Sequence, residues 1–267
     1  MGNYVHGYGP QENERLRDQA RTLVELLHHD TAYPPGSRVL EVGCGVGAQT
    51  VTLARNSPGA SITCIDISEA SIDEARNRLA ANEITNVDFH QADIFSMPWS
   101  TADFDHLFLC FVLEHLSEPL LALQKLGVAL KPGGTITVIE GDHGSAFFHP
   151  ASKAADRAIQ CQVELQKAAG GNAMIGRELY PLVSRAGYKN VRVTPRLVYA
   201  DESRPLMVDG FTLKTFTAMI EGVREAALGA GMIEADDFDA GIRDLKQTAG
   251  SGGVFCYTFF KAVGEKP

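Results

Sequence analysis

The first half of the chain alternates short apolar or β-branched runs with segments of helical periodicity. The runs that predict strands are residues 38–42, 61–67, 86–90, 104–112 and 135–140. The apolar character of residues 104–112 is continuous, which is typical of a strand buried on both faces of a sheet. Repeated β–α units of this kind predict a parallel, doubly wound α/β sheet with right-handed crossovers.

Helical periodicity fills the spaces before and between these strands. It predicts helices over residues 10–29, 49–55 and 117–130, and another that starts after an N-cap at Ser68. In the first of these, Leu16, Ala20, Leu23 and Leu27 mark the buried face, and His28 and His29 lie at its solvated end. The segment Lys131-Pro132-Gly133-Gly134 is a helix stop signal and a tight turn into the fifth strand.

The second half is less regular and contains a long insertion. Residues 152–169 and 176–186 are predicted helices, and residues 190–199 and 254–262 are predicted strands. Between those two strands, Leu213, Phe216 and Ile220 recur at helical spacing, and residues 236–248 predict a further helix. An insertion of this length is typical of a lid or a small cap, although ordinary packing explains the apolar stripe equally well.

Composition narrows the class of protein. The chain has 267 residues, of which 45% are hydrophobic and 21% charged, as in a folded globular protein. The net charge of -9 argues against nucleic acid as a partner. The five cysteines are widely spaced without a C-x-x-C pair, which favours reduced, buried thiols and a cytoplasmic location. No signal peptide is evident, and the longest apolar run, residues 107–113, is too short to cross a membrane.

A glycine-rich turn, Gly43-Cys44-Gly45-Val46-Gly47-Ala48, follows the first strand. Bare glycines let a ligand approach the backbone, and the following helix N-terminus favours anionic ligand groups. This pattern suits the pyrophosphate of a dinucleotide and the carboxylate of a methionyl group equally well. The turn alone therefore leaves a nicotinamide-dependent oxidoreductase as an alternative.

Acidic residues around this turn help to choose between the two ligands. Glu41 lies two residues before Gly43, where a carboxyl group can hold an amino group that pyrophosphate lacks. Asp66 ends the second strand, where it can accept hydrogen bonds from ribose hydroxyls in either cofactor. Asp93 and Ile94 follow the third strand, where a carboxylate and a backbone N–H can bind the edge of an adenine.

Taken in order, the segments V-L-E-V-G-C-G-V-G, C-I-D-I-S, Q-A-D-I and L-K-P-G-G resemble the class I S-adenosylmethionine-dependent methyltransferase family over residues 20–145. The resemblance implies a Rossmann-like, seven-stranded sheet with its last strand antiparallel, and S-adenosylmethionine as the cofactor. It implies roles in cofactor binding for the glycine loop with Cys44 and for the residues that follow the next three strands. These positions are Glu41, Gly43, Cys44, Gly45, Asp66, Ile67, Asp93, Ile94, Cys110 and Phe111. For Cys110 and Phe111, beside the sulfonium, simple core packing is an even alternative.

The N-terminal segment Tyr4-Val5-His6-Gly7-Tyr8 resembles a small-molecule branch of this family that includes the terpene C-methyltransferase of teleocidin biosynthesis. That resemblance implies that Tyr8 or Tyr4 covers the methionyl end of the cofactor. It also implies a possible homo-oligomer in which subunits exchange this segment. The alternative is a mobile tail, which is common at chain termini.

Catalytic candidates lie where the fifth strand is expected to end. Ligands of open parallel sheets bind outside the carboxyl ends of the strands, so Asp142 and His143 are expected to face the acceptor. His143 is a candidate general base, and a hydrogen-bonded loop histidine is the alternative. His115 is a second histidine that could reach the cleft from a turn. The spacing of Asp142, His143 and His149 matches no metal site, so no metal is predicted.

The remaining expectations concern the acceptor and the domain organisation. An apolar acceptor pocket is expected from Phe147, Phe148, Met174, Met207, Phe211 and Phe216. It predicts methyl transfer to a small hydrophobic molecule, and a non-catalytic cofactor-binding subunit is the alternative from another class. RNA or protein methylation is disfavoured by the charge and by the lack of a base-flipping motif. The chain is expected to be one methyltransferase domain, with a cap segment at 1–30, a cofactor core at 31–147, and substrate-side helices, a helical cap insert and the final strands at 148–267.

Overall fold

A seven-stranded mixed sheet forms the centre of the protein. The computed structural model describes residue 19, residues 22–96 and residues 102–267. The strands of the sheet are β1 (Arg38–Val42), β2 (Ser61–Asp66), β3 (Val87–Gln91), β4 (Phe104–Cys110), β5 (Leu130–His149), β6 (Lys189–Ala200) and β7 (Val254–Glu265). The strand order is β3-β2-β1-β4-β5-β7-β6. β1 to β5 pair in parallel, and β7 runs antiparallel to both of its neighbours. The predicted doubly wound sheet with an antiparallel last strand is confirmed.

Helices cover both faces of this sheet. They are α1 (22–28), α2 (Thr50–Asn56), α3 (Glu69–Ala81), α4 (Pro119–Ala129), α5 (Lys153–Ala168), α6 (Leu179–Arg185), α7 (Pro205–Met207), α8 (Ala218–Gly222), α9 (Arg224–Gly229) and α10 (Ala235–Gln247). A π-helical segment, Val208–Thr217, joins α7 to α8. α3 begins as predicted, because Ser68 Oγ accepts a hydrogen bond from the backbone N–H of Ser71 at 3.2 Å. The predicted helical insert between the last two strands is α7 to α10.

Two hydrophobic cores lie on opposite faces of the sheet, because neighbouring residues of each strand point to opposite sides. Val39 and Phe108 belong to the core that also contains Leu23 and Leu27 of α1. Leu40 belongs to the second core, with the apolar faces of α4 and α6. With both faces covered, the edge at the carboxyl ends of the parallel strands remains for a ligand.

The fifth strand is longer than predicted. β5 continues beyond Glu140 to His149, because β7 pairs with it up to Asp142 and again from Phe147 to His149. Between these paired stretches, Ser145 Oγ accepts the hydrogen bond of the Thr258 backbone N–H at 2.9 Å. Asp142 and His143 therefore lie within a strand, and the expectation that they follow its end is wrong.

The expectation that His28 is solvated is also wrong. Its side chain is buried against Phe108, with the ring centroids 5.8 Å apart, and its Nε2 lies 2.8 Å from Gln49 Oε1. Burial lowers the pKa of His28 to about 4, so the ring is neutral at physiological pH. The end of α1 packs into the core through Leu27 and His28, and His29, which follows the helix, is exposed as predicted.

Candidate active site

The glycine loop connects β1 to α2 in a conformation that favours glycine. Gly43 and Gly45 have φ angles of +70° and +50°. A Cβ atom on Gly43 would lie 2.6 Å from Val112 Cγ2, whereas a Cβ atom on Gly45 would meet no heavy atom within 4 Å. Gly43 is therefore required by packing within the protein, and Gly45 borders open space.

Asp66 closes this loop from the end of β2. Its Oδ2 accepts a hydrogen bond from the Gly45 backbone N–H at 2.8 Å, and its Oδ1 accepts one from the Ser68 N–H at 2.9 Å. Burial raises the pKa of Asp66, and the backbone hydrogen bonds oppose that rise. Each carboxylate oxygen has a further lone pair, so the group can still accept hydrogen bonds from the two hydroxyls of a ribose.

Asp93 occupies the corresponding position after β3. Its Oδ1 accepts a hydrogen bond from the Phe95 N–H at 2.9 Å and so starts the 3₁₀ turn Ile94–Ser96. Ile67, after β2, is 47% exposed and offers an apolar surface on which a flat ring can pack. Together these residues suit the ribose and the adenine of a nucleoside.

A cavity of about 520 Å³ lies along the carboxyl ends of the strands. This volume falls in the range of small-molecule sites. Its walls include nine of the predicted cofactor residues, namely Gly43, Cys44, Gly45, Asp66, Ile67, Asp93, Ile94, Cys110 and Phe111. The bare glycine edge and the two carboxylates that accept hydrogen bonds fit S-adenosylmethionine. Tyr4 and Tyr8 lie outside the described residues.

Glu41 is placed differently from the other predicted residues. Its side chain is buried behind the loop, where its Oε2 accepts a hydrogen bond from Cys64 Sγ at 3.2 Å, and it is not among the described residues that line the cavity. Burial raises the pKa of Glu41 to about 7. A contact between Glu41 and the ligand's amino group stays a prediction.

The other end of the cavity is aromatic. Its rings belong to Phe111, Phe211, Phe216, Tyr257 and Phe259. The centroids of Tyr257 and Phe259 lie 4.8 Å apart, and Phe259 lies 5.4 Å from Phe111. This end suits an apolar molecule because most of the wall cannot form hydrogen bonds.

His143 lines this aromatic end, as predicted. Its Nδ1 lies 3.0 Å from Tyr257 Oη, and its Nε2 lies 3.4 Å from Met219 Sδ. The side chain is buried, and its backbone N–H donates to Ala173 O at 2.9 Å. The imidazole is therefore held on both nitrogens, against the wall of the cavity.

Asp142 does not face the acceptor as expected. Its two oxygens accept hydrogen bonds from Arg177 Nε at 2.7 Å and Nη2 at 2.8 Å, and its side chain is only 3% exposed. Among the described residues, it is not part of the cavity wall. The strand alternates sides, so a neighbour of His143 points away from the cavity. Asp142 thus connects β5 to the 3₁₀ turn Ile175–Glu178 through a bidentate ion pair.

The predicted apolar lining is correct only in part. Phe211 and Phe216 lie on the cavity wall, but Phe147, Phe148, Met174 and Met207 do not. Phe147 is 60% exposed and Phe148 stacks on Phe255, because β5 continues as a strand and carries both rings past the cavity. Within the described part of the chain, no group of three acidic, histidine or cysteine side chains is arranged to hold a metal ion.

Several wall residues were not predicted from the sequence. They are Gln19, Thr215, Met219, Tyr257 and Phe259. A signal was present for two of them, since Phe255, Tyr257 and Phe259 alternate along β7 and all three are buried on one face. His115, expected to reach the cleft, lines the cavity next to Glu114.

The fold and the site are typical of an enzyme that binds a nucleoside-containing cofactor. Comparison with known proteins identifies its family. A model described as "Methyltransferase domain" matches residues 34–187. The chain belongs to the class I S-adenosylmethionine-dependent methyltransferase family, which confirms the predicted family and, at the level of the family, the predicted cofactor.

Individual proteins match this chain at low sequence identity. An uncharacterized methyltransferase of Schizosaccharomyces pombe is 32% identical over 148 residues, which are 53% of this chain and 53% of that protein. The chain spans about half the length of the curated relatives it matches. The [4+2]-cyclase SpnF has a TM-score of 0.55 at 19% identity, covering 94% of this chain and 81% of its own. Haemonchus contortus phosphoethanolamine N-methyltransferase 2, in complex with S-adenosyl-L-methionine, has a TM-score of 0.56 at 14% identity, over 94% of this chain and 52% of its own. These two structures are similar in fold alone.

Proposed function

We propose that this chain transfers a methyl group from S-adenosylmethionine to a small, fairly hydrophobic acceptor molecule. The observation that carries the proposal is a single cavity whose walls include both the cofactor positions, such as Gly45 and Asp66, and the aromatic end around His143. Family membership favours methyl transfer over the alternative of a nicotinamide-dependent oxidoreductase.

The bound cofactor supplies an electrophilic methyl group on a sulfonium, and the protein supplies position and a dry environment. Asp66 and Asp93 orient the nucleoside through hydrogen bonds from the ribose and the adenine. The rings of Phe211, Phe216 and Phe259 exclude water from the acceptor end. Alignment and desolvation of this kind account for much of the rate of a displacement with a good leaving group.

His143 is proposed to take the proton that an O–H or N–H acceptor loses. In the tautomer whose Nδ1–H donates to Tyr257 Oη, the Nε2 atom accepts that proton, and the resulting N–H can donate to the adjacent Met219 Sδ. Tyr257 acts as a positioning residue because its hydroxyl, 3.0 Å from Nδ1, holds the orientation of the ring. Asp142, paired with Arg177, has no direct part in the proposed proton transfer.

The test uses methyl-labelled S-adenosylmethionine and a small-molecule extract of the source cells. The wild-type protein is expected to label an organic-soluble product. His143→Ala should reduce kcat by about 10²-fold or more while leaving the affinity for S-adenosylhomocysteine unchanged. Tyr257→Phe should cause a smaller loss. Wild-type turnover by His143→Ala would refute the proton-acceptor role, and no labelled product from any extract would favour a non-catalytic subunit.

The remaining parts of the proposal concern the setting of the enzyme. The five cysteines are free and buried, which supports a cytoplasmic location. No helix among the described residues has the length and apolarity to span a bilayer. We further propose that the N-terminal segment with Tyr4 and Tyr8, within the cap at 1–30, covers the cofactor and can exchange between subunits of a homo-oligomer. In this scheme 31–147 forms the cofactor core and 148–267 supplies the acceptor side. Removal of residues 1–9 should weaken cofactor binding, and unchanged affinity and turnover would exclude the covering role.

A further inference from the structure

Apart from histidines, the ionisable Asp, Glu, Lys and Arg side chains that line the cavity are all acidic in the part of the chain that the structure describes. The carboxylates are Asp66, Asp93, Glu114 and Glu118, and no described Lys or Arg lies on the wall. Asp66 and Asp93 are engaged with backbone N–H groups at the nucleoside end. Glu118 is exposed to solvent, whereas Glu114 is only 9% exposed. Glu114 is therefore the carboxylate whose charge is least screened by water.

Side chains of α5 and of its own turn surround Glu114. Gln166 Nε2 on α5 donates to Glu114 Oε2 at 3.1 Å and to its backbone oxygen at 3.0 Å. Gln166 is itself oriented by Gln162, whose Nε2 donates to Gln166 Oε1 at 3.0 Å. The side chain of His115 lies 3.7 Å away through its Nε2. Amide hydrogen bonds fix the position of the carboxylate without cancelling its charge.

A second carboxyl group supports the turn that carries Glu114. Glu140 Oε1 accepts hydrogen bonds from the N–H groups of Val112 at 3.0 Å and Leu113 at 2.7 Å, at the start of the 3₁₀ turn Leu113–His115. Glu140 is fully buried, and burial together with the charge of Glu114 raises the pKa of Glu140 well above its usual range. Burial thus disfavours the charged form of Glu140, and Glu114 is the carboxyl group of the two that lines the cavity.

The field of Glu114 reaches the middle of the cavity. Burial is the main cause of the raised pKa of Tyr257, and the charge of Glu114 comes next. Burial also raises the pKa of Cys110, followed by the charges of Glu140, Glu41 and Glu114 in that order. Tyr257 belongs to the aromatic end, and Cys110 ends β4 between the two ends of the cavity. Glu114 therefore lies close enough to act on residues of both parts of the cavity wall.

We propose that Glu114 is the specificity residue by which the cavity distinguishes the cationic methyl donor from its neutral thioether product. This inference rests on the proposed function. S-adenosylmethionine and S-adenosylhomocysteine differ by one methyl group and one positive charge at sulfur, so a desolvated carboxylate favours the former. Once the methyl group has left, that attraction is lost, and the product is held less tightly. Glu114 thus promotes exchange of spent cofactor for fresh cofactor.

The test compares the affinities for the two ligands by calorimetry on the full chain. Glu114→Gln keeps the shape of the side chain and an oxygen that can accept from Gln166, but it removes the charge. It should weaken binding of S-adenosylmethionine by about tenfold or more, while binding of S-adenosylhomocysteine changes less than about twofold. Glu118→Gln is the matched control, since it removes the same charge from an exposed position of the same cavity. It should leave the ratio of the two affinities unchanged.

The outcomes separate this inference from the proposed function. Equal losses for both ligands in Glu114→Gln, or no loss, would overturn the role of Glu114. Wild-type protein that binds neither ligand would instead contradict the proposed function. If Glu114→Gln does not fold, wild-type protein decides with sinefungin, which carries an ammonium group in place of the sulfonium. Tighter binding of sinefungin than of S-adenosylhomocysteine supports the inference, and equal or weaker binding refutes it.

Discussion

Two glycines of the cofactor loop should respond in opposite ways to the same substitution. Both Gly43 and Gly45 have positive φ, so Gly→Ala strains the backbone at either position by about 1–2 kcal/mol. The surroundings differ, because a Cβ atom on Gly43 would lie 2.6 Å from Val112 Cγ2, while one on Gly45 would point into open space. Gly43→Ala should therefore destabilise the fold, and Gly45→Ala should obstruct the ligand.

The magnitudes follow from the structure. Overpacking against Val112 adds about 1–3 kcal/mol to the backbone strain in Gly43→Ala, for a total of about 2–5 kcal/mol. At about 2–4 °C per kcal/mol, Tm should fall by about 10 °C. Gly45→Ala has only the strain, so Tm should fall by about 4 °C. Its affinity for S-adenosylhomocysteine should nevertheless fall at least about tenfold, since the new methyl group occupies space along the cavity wall.

Thermal unfolding without ligand and calorimetric titration with S-adenosylhomocysteine measure the two effects separately. Each variant serves as the control for the other, because the two share the same backbone strain. Unchanged affinity in Gly45→Ala would refute the assignment of this loop to the cofactor. A Tm of Gly43→Ala as high as that of Gly45→Ala would refute the packing argument.

Three further substitutions test the polar framework. Asp66→Asn should weaken binding of S-adenosylhomocysteine by about tenfold, because an amide N–H group would face the backbone N–H of either Gly45 or Ser68. A wild-type affinity measured by calorimetry would contradict this. Glu41 has a folded pKa of about 7 against an ordinary value of 4.5, so its ionisation destabilises the ligand-free fold as pH rises from 4.5 to 7. Glu41→Gln should therefore gain stability relative to wild type over this range in urea unfolding, and a constant difference would disprove it. The pKa of Asp30 is shifted in the opposite direction, since hydrogen bonds from Lys261 and Arg196 outweigh burial and lower it to about 2. Asp30→Asn should be less stable than wild type at neutral pH, and the difference should shrink as pH falls from about 4 to 2; a difference that persists in acid would exclude this ion pair as its source.

The cofactor end could be predicted from the sequence because its parts are local. A strand, a glycine turn and a carboxylate at the end of the next strand all lie within residues 38–66, and parallel pairing of β1 with β2 brings Asp66 to Gly45. The sheet order follows from the same β–α units.

The acceptor end could not be predicted in this way because its contacts join distant parts of the chain. Tyr257 is 114 residues from His143, and Arg177 is 35 residues from Asp142. Which of two adjacent polar residues faces the cavity depends on the pairing of β5 with β7, and no local pattern signals that β5 continues past Glu140. The pairing of β5 with β7 therefore determines that His143 faces the cavity and that Asp142 forms an ion pair with Arg177.

The most direct test of the central claim is calorimetric titration of the full chain with S-adenosylmethionine and, separately, with NAD. We expect saturable binding of one S-adenosylmethionine per chain, weakened at least about tenfold in Gly45→Ala, and no heat with NAD. Saturable binding of NAD without binding of S-adenosylmethionine would contradict it.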